Sequence, residues 1–155
     1  MNVLERFRLD GKTAIVTGGT SRFGAPIARA LAEAGANVVI ASRHVLSCET
    51  LAAELREEGY SAVGMQVNLA DDASICRLAV ETAHRYGRID ILVNNAGITR
   101  DGLLMRMAEE DFDQVLDTNL KGAFHMMRFV SRQMLKQRYG RIINMASVVG
   151  IAGNA

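Results

Sequence analysis

Short, unbroken apolar runs alternate with longer amphipathic stretches along this chain. That alternation limits the possible folds more than any other feature. Lys12–Thr17 (KTAIVT) is a β-branched run closed by Gly18 and Gly19. Ala25–Ala34 then carries Ile27, Ala28, Leu31 and Ala32 at helical spacing and stops at Gly35. The strand signal returns at Asn37–Ala41, Ser61–Val67, Arg88–Asn94 and Arg141–Ala146. The helix signal returns at His44–Glu58, where Leu46, Leu51, Ala52 and Leu55 are expected on one buried face. It returns again at Asp71–Tyr86, where Asp71 or Asp72 is the expected N-cap and Gly87 the stop. A further helical pattern over Ala108–Gln137 is too long for one ordinary helix and is expected to break near Asn119–Gly122. Strands that are apolar on both faces need helices on both sides, and strand–helix alternation implies a parallel sheet with right-handed crossovers. The expected fold is therefore an α/β parallel sheet of five strands with helices on both faces, one domain over residues 1–155.

Composition agrees and excludes several classes. The 155 residues are 49% apolar and 23% charged, which rules out disorder and permits a proper core. With 18 Lys and Arg against 17 Asp and Glu, the net charge of +1 gives no electrostatic reason to bind nucleic acid or an anionic membrane. No apolar run approaches the roughly 18 residues of a spanning helix, and Met1–Leu9 lacks a signal-peptide core. Cys48 and Cys76 stand far apart without a CxxC, which fits reduced thiols and a cytoplasmic setting. His44, His84 and His125 lack metal-ligand spacing and read as surface or packing residues, so no metal is expected.

The chemistry is concentrated at strand ends. Thr17, Gly18, Gly19, Thr20, Ser21, Arg22, Phe23 and Gly24 join the first strand to the first helix. Backbone amides of such a turn, with the helix dipole behind them, suit a pyrophosphate. Gly18 permits the tight turn, and Gly24 permits close packing of helix on strand. An acidic residue after the second strand would accept bonds from a ribose 2′-OH and mark NAD. The chain has Ser42 and Arg43 there instead. Arg43 can pair with a 2′-phosphate and Ser42 can donate to it, which favours NADP(H); a plain solvated arginine is the alternative. Met126, Met127 and Met134 read as packing residues.

Four motifs, in order, resemble the short-chain dehydrogenase/reductase family: the Thr17–Gly24 turn, Asn94-Asn95-Ala96-Gly97, Asp117-Thr118-Asn119-Leu120, and Gly140-Arg141-Ile142-Ile143-Asn144 running into Ser147-Val148-Val149-Gly150. Within it the chain is most similar to 3-oxoacyl-[acyl-carrier-protein] reductases, on Ile98–Met107 and on Ser147–Gly150 with Gly153 and Asn154. Arg8–Ala14 and Ile40–Arg43 look equally like sugar-acid and polyol dehydrogenases of the same family. The resemblance implies an α/β, Rossmann-type doubly wound parallel sheet with its five strands in the order 3-2-1-4-5, and NADPH-dependent reduction of a ketone, small or carried on an acyl carrier, by a homo-oligomer. It implies that Ser147 bonds the substrate carbonyl oxygen and that Asn119 holds a relay water through its backbone. Asn95, Ala96 and Gly97 would line the nicotinamide ribose side, Asn68 and Leu69 would contact adenine, and Thr118 would flank the cofactor.

Two departures stand out. Arg22 occupies the place of the family's second glycine. It could crowd the pyrophosphate or pair with a phosphate, and crowding is the leading expectation. The family's Tyr-x-x-x-Lys, with Tyr as general acid and Lys lowering its pKa, has no counterpart around Tyr60, Tyr86 or Tyr139. Its expected place lies beyond the eight residues that follow Ser147. The resemblance therefore makes the 155 residues the N-terminal part of a family domain, inactive alone. A non-catalytic dinucleotide-binding module is the other reading. It would leave Ile142, Ile143 and Val148 exposed on an edge strand, a pairing hazard.

Overall fold

A computed structural model describes residues 2–153. Five parallel strands form one sheet: β1 Thr13–Thr17, β2 Asn37–Ser42, β3 Ala62–Gln66, β4 Ile91–Asn94 and β5 Arg141–Asn144. Their order is β3-β2-β1-β4-β5, as the family resemblance implies. Thr13 pairs with Asn37 and Val16 with Ile40, while Ile15 pairs with Leu92 and Leu92 with Ile142. The reversal of direction falls between β1 and β4, the switch point where such sheets bind ligands.

Helices α1 Gly24–Glu33 and α2 Val45–Glu57 cover one face, and α3 Asp72–Tyr86 and α5 Gly122–Gln137 cover the other. Side chains alternate across a strand. Ala14 and Val16 of β1 therefore pack with Ala28, Ala32, Cys48, Ala52 and Leu55. Ile15 packs on the opposite side with Ile75, Leu78, Met126 and Val130. On α2 the buried face is Cys48, Ala52 and Leu55, spaced four and three residues apart. Leu46, expected on that face, is 82% exposed, because two residues from Cys48 is roughly 200° around a helix. Asp71 caps α3, accepting from the Ala73 amide at 3.0 Å.

The helical stretch after residue 108 does not break where expected. α4 Glu109–Val115 runs through a π-helical turn, Leu116–Lys121, directly into α5, with right-handed helical backbone at the junctions. A π turn inserts a residue and shifts the helix register without ending the helix. The sequence signals of a break, Asn119 and Gly122, mark this turn. Val149–Ala152 adds a short helix, α6, after β5.

The N-terminal end of the sheet is locked by one buried carboxylate. Asp90 is fully buried and accepts two hydrogen bonds from Arg88, both at 2.7 Å, and one from the Thr13 amide at 2.9 Å. Lys12 adds its charge at 3.8 Å. Burial alone pushes the Asp90 carboxyl up. Arg88, the Thr13 N–H and the Lys12 charge outweigh burial and hold the carboxyl below the ordinary carboxylate range. Among the described residues no helix is long and apolar enough to cross a membrane.

Candidate functional site

The opposite, C-terminal end of the sheet opens into a cleft of about 540 Å³. Its walls are loops that leave consecutive strands. The β1–α1 turn contributes Gly18, Thr20, Ser21, Arg22 and Phe23. The β2–α2 turn contributes Ser42, Arg43 and His44, and the β3–α3 loop contributes Val67, Asn68, Leu69 and Ala70. The segment after β4 supplies Asn95, Ala96, Gly97, Ile98 and Arg100. Gln114 and Thr118 close the wall from the helix opposite.

The glycine turn is built as its sequence implies. Gly18 has φ +60°, a left-handed conformation, and a Cβ there would sit 2.8 Å from the Ala96 Cα. A Cβ at Gly24 would collide with the Gly18 carbonyl oxygen. Gly24 lies at the start of α1 rather than on the cleft wall, so its part is to let the helix approach. Gly19 is likewise outside the wall; its amide donates to the Ala41 carbonyl at 3.3 Å and ties this turn to the end of β2. The Ser21 hydroxyl accepts from the Gly24 amide at 3.0 Å. The amides of Thr20, Arg22 and Phe23 meet no acceptor among the described residues. Free donors grouped before a helix suit a diphosphate, so the cradle fits a dinucleotide.

Asn95 holds this turn against β4. Its amide nitrogen lies 3.0 Å from the Thr17 carbonyl oxygen, 3.1 Å from that of Gly18 and 3.2 Å from the Ser21 hydroxyl. The buried Thr17 hydroxyl accepts from the amides of Asn95 and Ala96, each at 3.2 Å. Asn94 points the other way. Its side chain donates to Asn144 at 2.8 Å and clamps β4 to β5.

The rim beside β2 carries two arginines and a histidine. Arg22, Arg43 and His44 line it, and no carboxylate is among the described lining residues. The Ser42 hydroxyl accepts from the His44 amide at 3.1 Å and lies 3.0 Å from the Cys48 sulfur. These contacts set the shape of the turn and leave Arg43 and His44 to face the cleft. Burial pushes the Cys48 thiol up, and Ser42 pulls it partly back. Asn68 accepts from the Ala70 amide at 3.2 Å, an Asx turn that shapes the wall beside Leu69.

Asn119 sits in the π turn and clamps the loop after β4. It accepts from the Ile98 amide at 2.9 Å and donates to the Ile98 carbonyl at 2.8 Å. Its side chain is outside the cleft lining, as is Ser147, which is exposed and accepts from the Val149 amide at 3.3 Å. Asn154 lies outside the described residues. Sequence reasoning missed His44, Phe23, Arg100 and Gln114 as lining residues. Arg100 bonds Gln114 at 3.3 Å and approaches Asp111 at 3.6 Å, joining the loop to α4. No motif announces such a pair. His44 was adjacent to Arg43 and could have been found by following the β2–α2 turn one residue further.

Comparison with known proteins agrees with this geometry. A family model described as short chain dehydrogenase matches residues 12–155. The 3-oxoacyl-[acyl-carrier-protein] reductase FabG of Staphylococcus aureus is 44% identical over 146 residues, covering 92% of this chain and 58% of its own length. The FabG of Thermotoga maritima is 42% identical over 147 residues, covering 95% and 60%. A solved gluconate 5-dehydrogenase from Burkholderia cenocepacia, in complex with NADP and tartrate, superposes with a TM-score of 0.90 at 41% identity, over 95% of this chain and 58% of its own. The chain thus spans roughly three-fifths of the length of the relatives it matches.

Proposed function

The chain belongs to the short-chain dehydrogenase family, and from that premise we propose that it forms the NADP(H)-binding part of a ketone reductase acting on a 3-oxoacyl thioester. The observation that carries the cofactor half of this reading is the cleft rim. Arg22, Arg43 and His44 line it with no carboxylate among the described lining residues. The carboxylate that would accept from a ribose 2′-OH is not among them, and donors for a 2′-phosphate are present. The relatives named as 3-oxoacyl-[acyl-carrier-protein] reductases support the substrate half.

Each wall has a role in this reading. The amides of Thr20, Arg22 and Phe23 hold the pyrophosphate. Arg43 holds the 2′-phosphate, with Ser42 shaping its turn. Asn68 and Leu69 border the adenine. Asn95, Ala96 and Gly97 form the nicotinamide ribose side, and Thr118 flanks it. When bound, the dinucleotide supplies the hydride. Ser147 donates a hydrogen bond to the substrate carbonyl oxygen and stabilises the charge that grows there. Asn119 holds the π turn against Ile98, and a carbonyl of that turn holds the relay water.

Proton donation to the product alkoxide is left without a group in this chain. Tyr60 and Tyr86 pack against the two cores, and Tyr139 lies under Lys12, 3.9 Å from its ring centroid. None lines the cleft. The chain is therefore expected to bind cofactor without turning over substrate. Titration of NADPH and NADH, followed by nicotinamide fluorescence, tests the first half. NADPH is expected to bind more tightly; equal or tighter binding of NADH sinks the cofactor assignment. Incubation with NADPH and an acetoacetyl thioester tests the second, and measurable NADPH oxidation refutes it. A second reading, a sugar-acid dehydrogenase, draws on the gluconate 5-dehydrogenase neighbour and on Ile40–Arg43.

A further inference from the structure

We infer that Glu49 and Arg56 of α2 together stand in for one residue of a further parallel strand, and so close the β3 edge of the sheet to pairing with another chain. Ser61 and Val67, at the two ends of β3, bond β2. The Ser61 carbonyl accepts from the Val38 amide at 2.9 Å, and the Val67 amide donates to the Ser42 carbonyl at 2.8 Å. Backbone groups of a strand face its two sides by turns, so Val63 and Met65 also face β2. The N–H and C=O groups of Ala62, Gly64 and Gln66 therefore face outward, and β3 is the last strand on this side. A row of such groups is a template for a strand of another chain.

One residue of an added parallel strand would donate to the Ala62 carbonyl and accept from the Gly64 amide. Both groups are already occupied. Arg56 donates to the Ala62 carbonyl at 2.9 Å, and Glu49 accepts from the Gly64 amide at 2.9 Å. The two side chains are bonded to each other at 2.6 Å. They stand seven residues apart on α2, about two helical turns, so one side of the helix presents both. Gly64 lets the helix come close, since a Cβ there would collide with the backbone of Cys48 and Glu49. Arg56 and the Gly64 N–H hold the Glu49 carboxyl below the ordinary carboxylate range, so it is an ionised acceptor at neutral pH. The side chains of Arg56 and Glu49 are 42% and 46% exposed, and an exposed ion pair adds little to stability. Its place across the strand, rather than its strength, is what it contributes. β5 differs. The Arg141 and Met145 amides donate to β4 and its continuation, which turns the backbone groups of Ile142 and Asn144 outward. Among the described residues no side chain bonds those groups.

Amide exchange and sedimentation test the cap. The full chain is used in an Ile143→Lys background, which places a charge on β5 so that association at β3 is read alone. In this parent the Gly64 amide is expected to exchange slowly, although it lies on a sheet edge. Glu49→Ala is expected to speed that exchange by about tenfold, as loss of one charge-assisted hydrogen bond does. Glu49→Ala and Arg56→Ala are each expected to bring association that rises with concentration, with circular dichroism unchanged. Glu49→Gln keeps an acceptor for Gly64 and is expected to fall between parent and Glu49→Ala. Arg29→Ala breaks a different exposed ion pair, Arg29–Glu58, without touching β3, and is expected to leave association as in the parent. Rapid exchange of the Gly64 amide in the parent overturns the inference, and that measurement stands even if the alanine variants fail to fold. Association no greater in Glu49→Ala and Arg56→Ala than in the parent overturns it too, as does equal association in Arg29→Ala.

Discussion

Asp90 shows how one side chain can govern stability far from the site. It is fully buried at the end of the sheet opposite the cleft, and its carboxylate is held by Arg88, Lys12 and the Thr13 amide. Replacing it with Asn keeps the shape but leaves Arg88 without its bidentate partner. Asp90→Asn is expected to cost about 2 kcal/mol, less than a fully buried pair because Arg88 is partly exposed. Urea denaturation with an unchanged slope checks it. The pH dependence has a definite sign. The folded state holds the carboxyl below its ordinary value, so the unfolded chain binds more protons in acid. The Asp90 contribution is present in full above the unfolded value, near pH 4, and is lost as pH falls through the depressed folded value. The Asn variant lacks that part of the acid limb, and an identical acid profile for both proteins contradicts the assignment.

Among the elements, the π turn does most to shape the candidate site. The π turn Leu116–Lys121 carries Asn119, whose side chain bonds both backbone groups of Ile98. Asn119→Ala removes both hydrogen bonds and frees the loop that carries Ala96 and Gly97. The variant is expected to lose amide-exchange protection at Ile98 and to bind NADPH several-fold more weakly, with global stability lowered by about 1 kcal/mol. Asn119→Asp keeps the acceptor and loses the donor, so it is expected to fall between the two. Unchanged exchange at Ile98 in the Ala variant refutes the clamp. A second element pair, α3 and α5, is joined by Asp72, which meets His125 and accepts from Arg128 at 2.7 Å.

For the molecule as a whole, burial falls from the middle of the sheet to its β5 edge. β1, β2 and β4 are buried, whereas every residue of β5 is exposed. Ile142 is 38% exposed and Ile143 47%, although parallel strands ordinarily have both faces covered. Val148 and Ile151, after β5, are exposed as well. An uncovered, apolar edge strand pairs with other chains. The chain is expected to associate with rising concentration, and Ile143→Lys is expected to reduce that association while leaving the fold and NADPH binding intact. Light scattering across a dilution series measures it, and a wild-type chain that stays monomeric at high concentration argues against the edge as a hazard. The covered part contains the whole cleft, so cofactor binding and edge exposure are separable properties of this chain.

The parallel sheet, the gathering of candidate residues at strand ends, and the cover of helices on both faces were legible in the sequence. They follow from periodicity, glycine stops and the right-handed crossover, which are local or nearly local constraints. The glycine turn was legible for the same reason: Gly18 and Gly24 are demanded by a backbone conformation and a contact a few residues away. The place of Arg22 on one cleft wall with Arg43 was not, because it depends on how the turn sits against β2 and not on the turn itself. Nor was the continuity of α4 into α5. Asn119 and Gly122 carry the propensities of a break, and a contact to Ile98, twenty-one residues distant, turns the break into a π turn. The Leu46 error is local instead: a leucine's hydrophobicity marks it for burial, but helical spacing sets it about 180° from Leu55, off the buried stripe. Long-range contacts such as that of Asn119 with Ile98 are set by the folded sheet, which brings strand ends together that no sequence window spans.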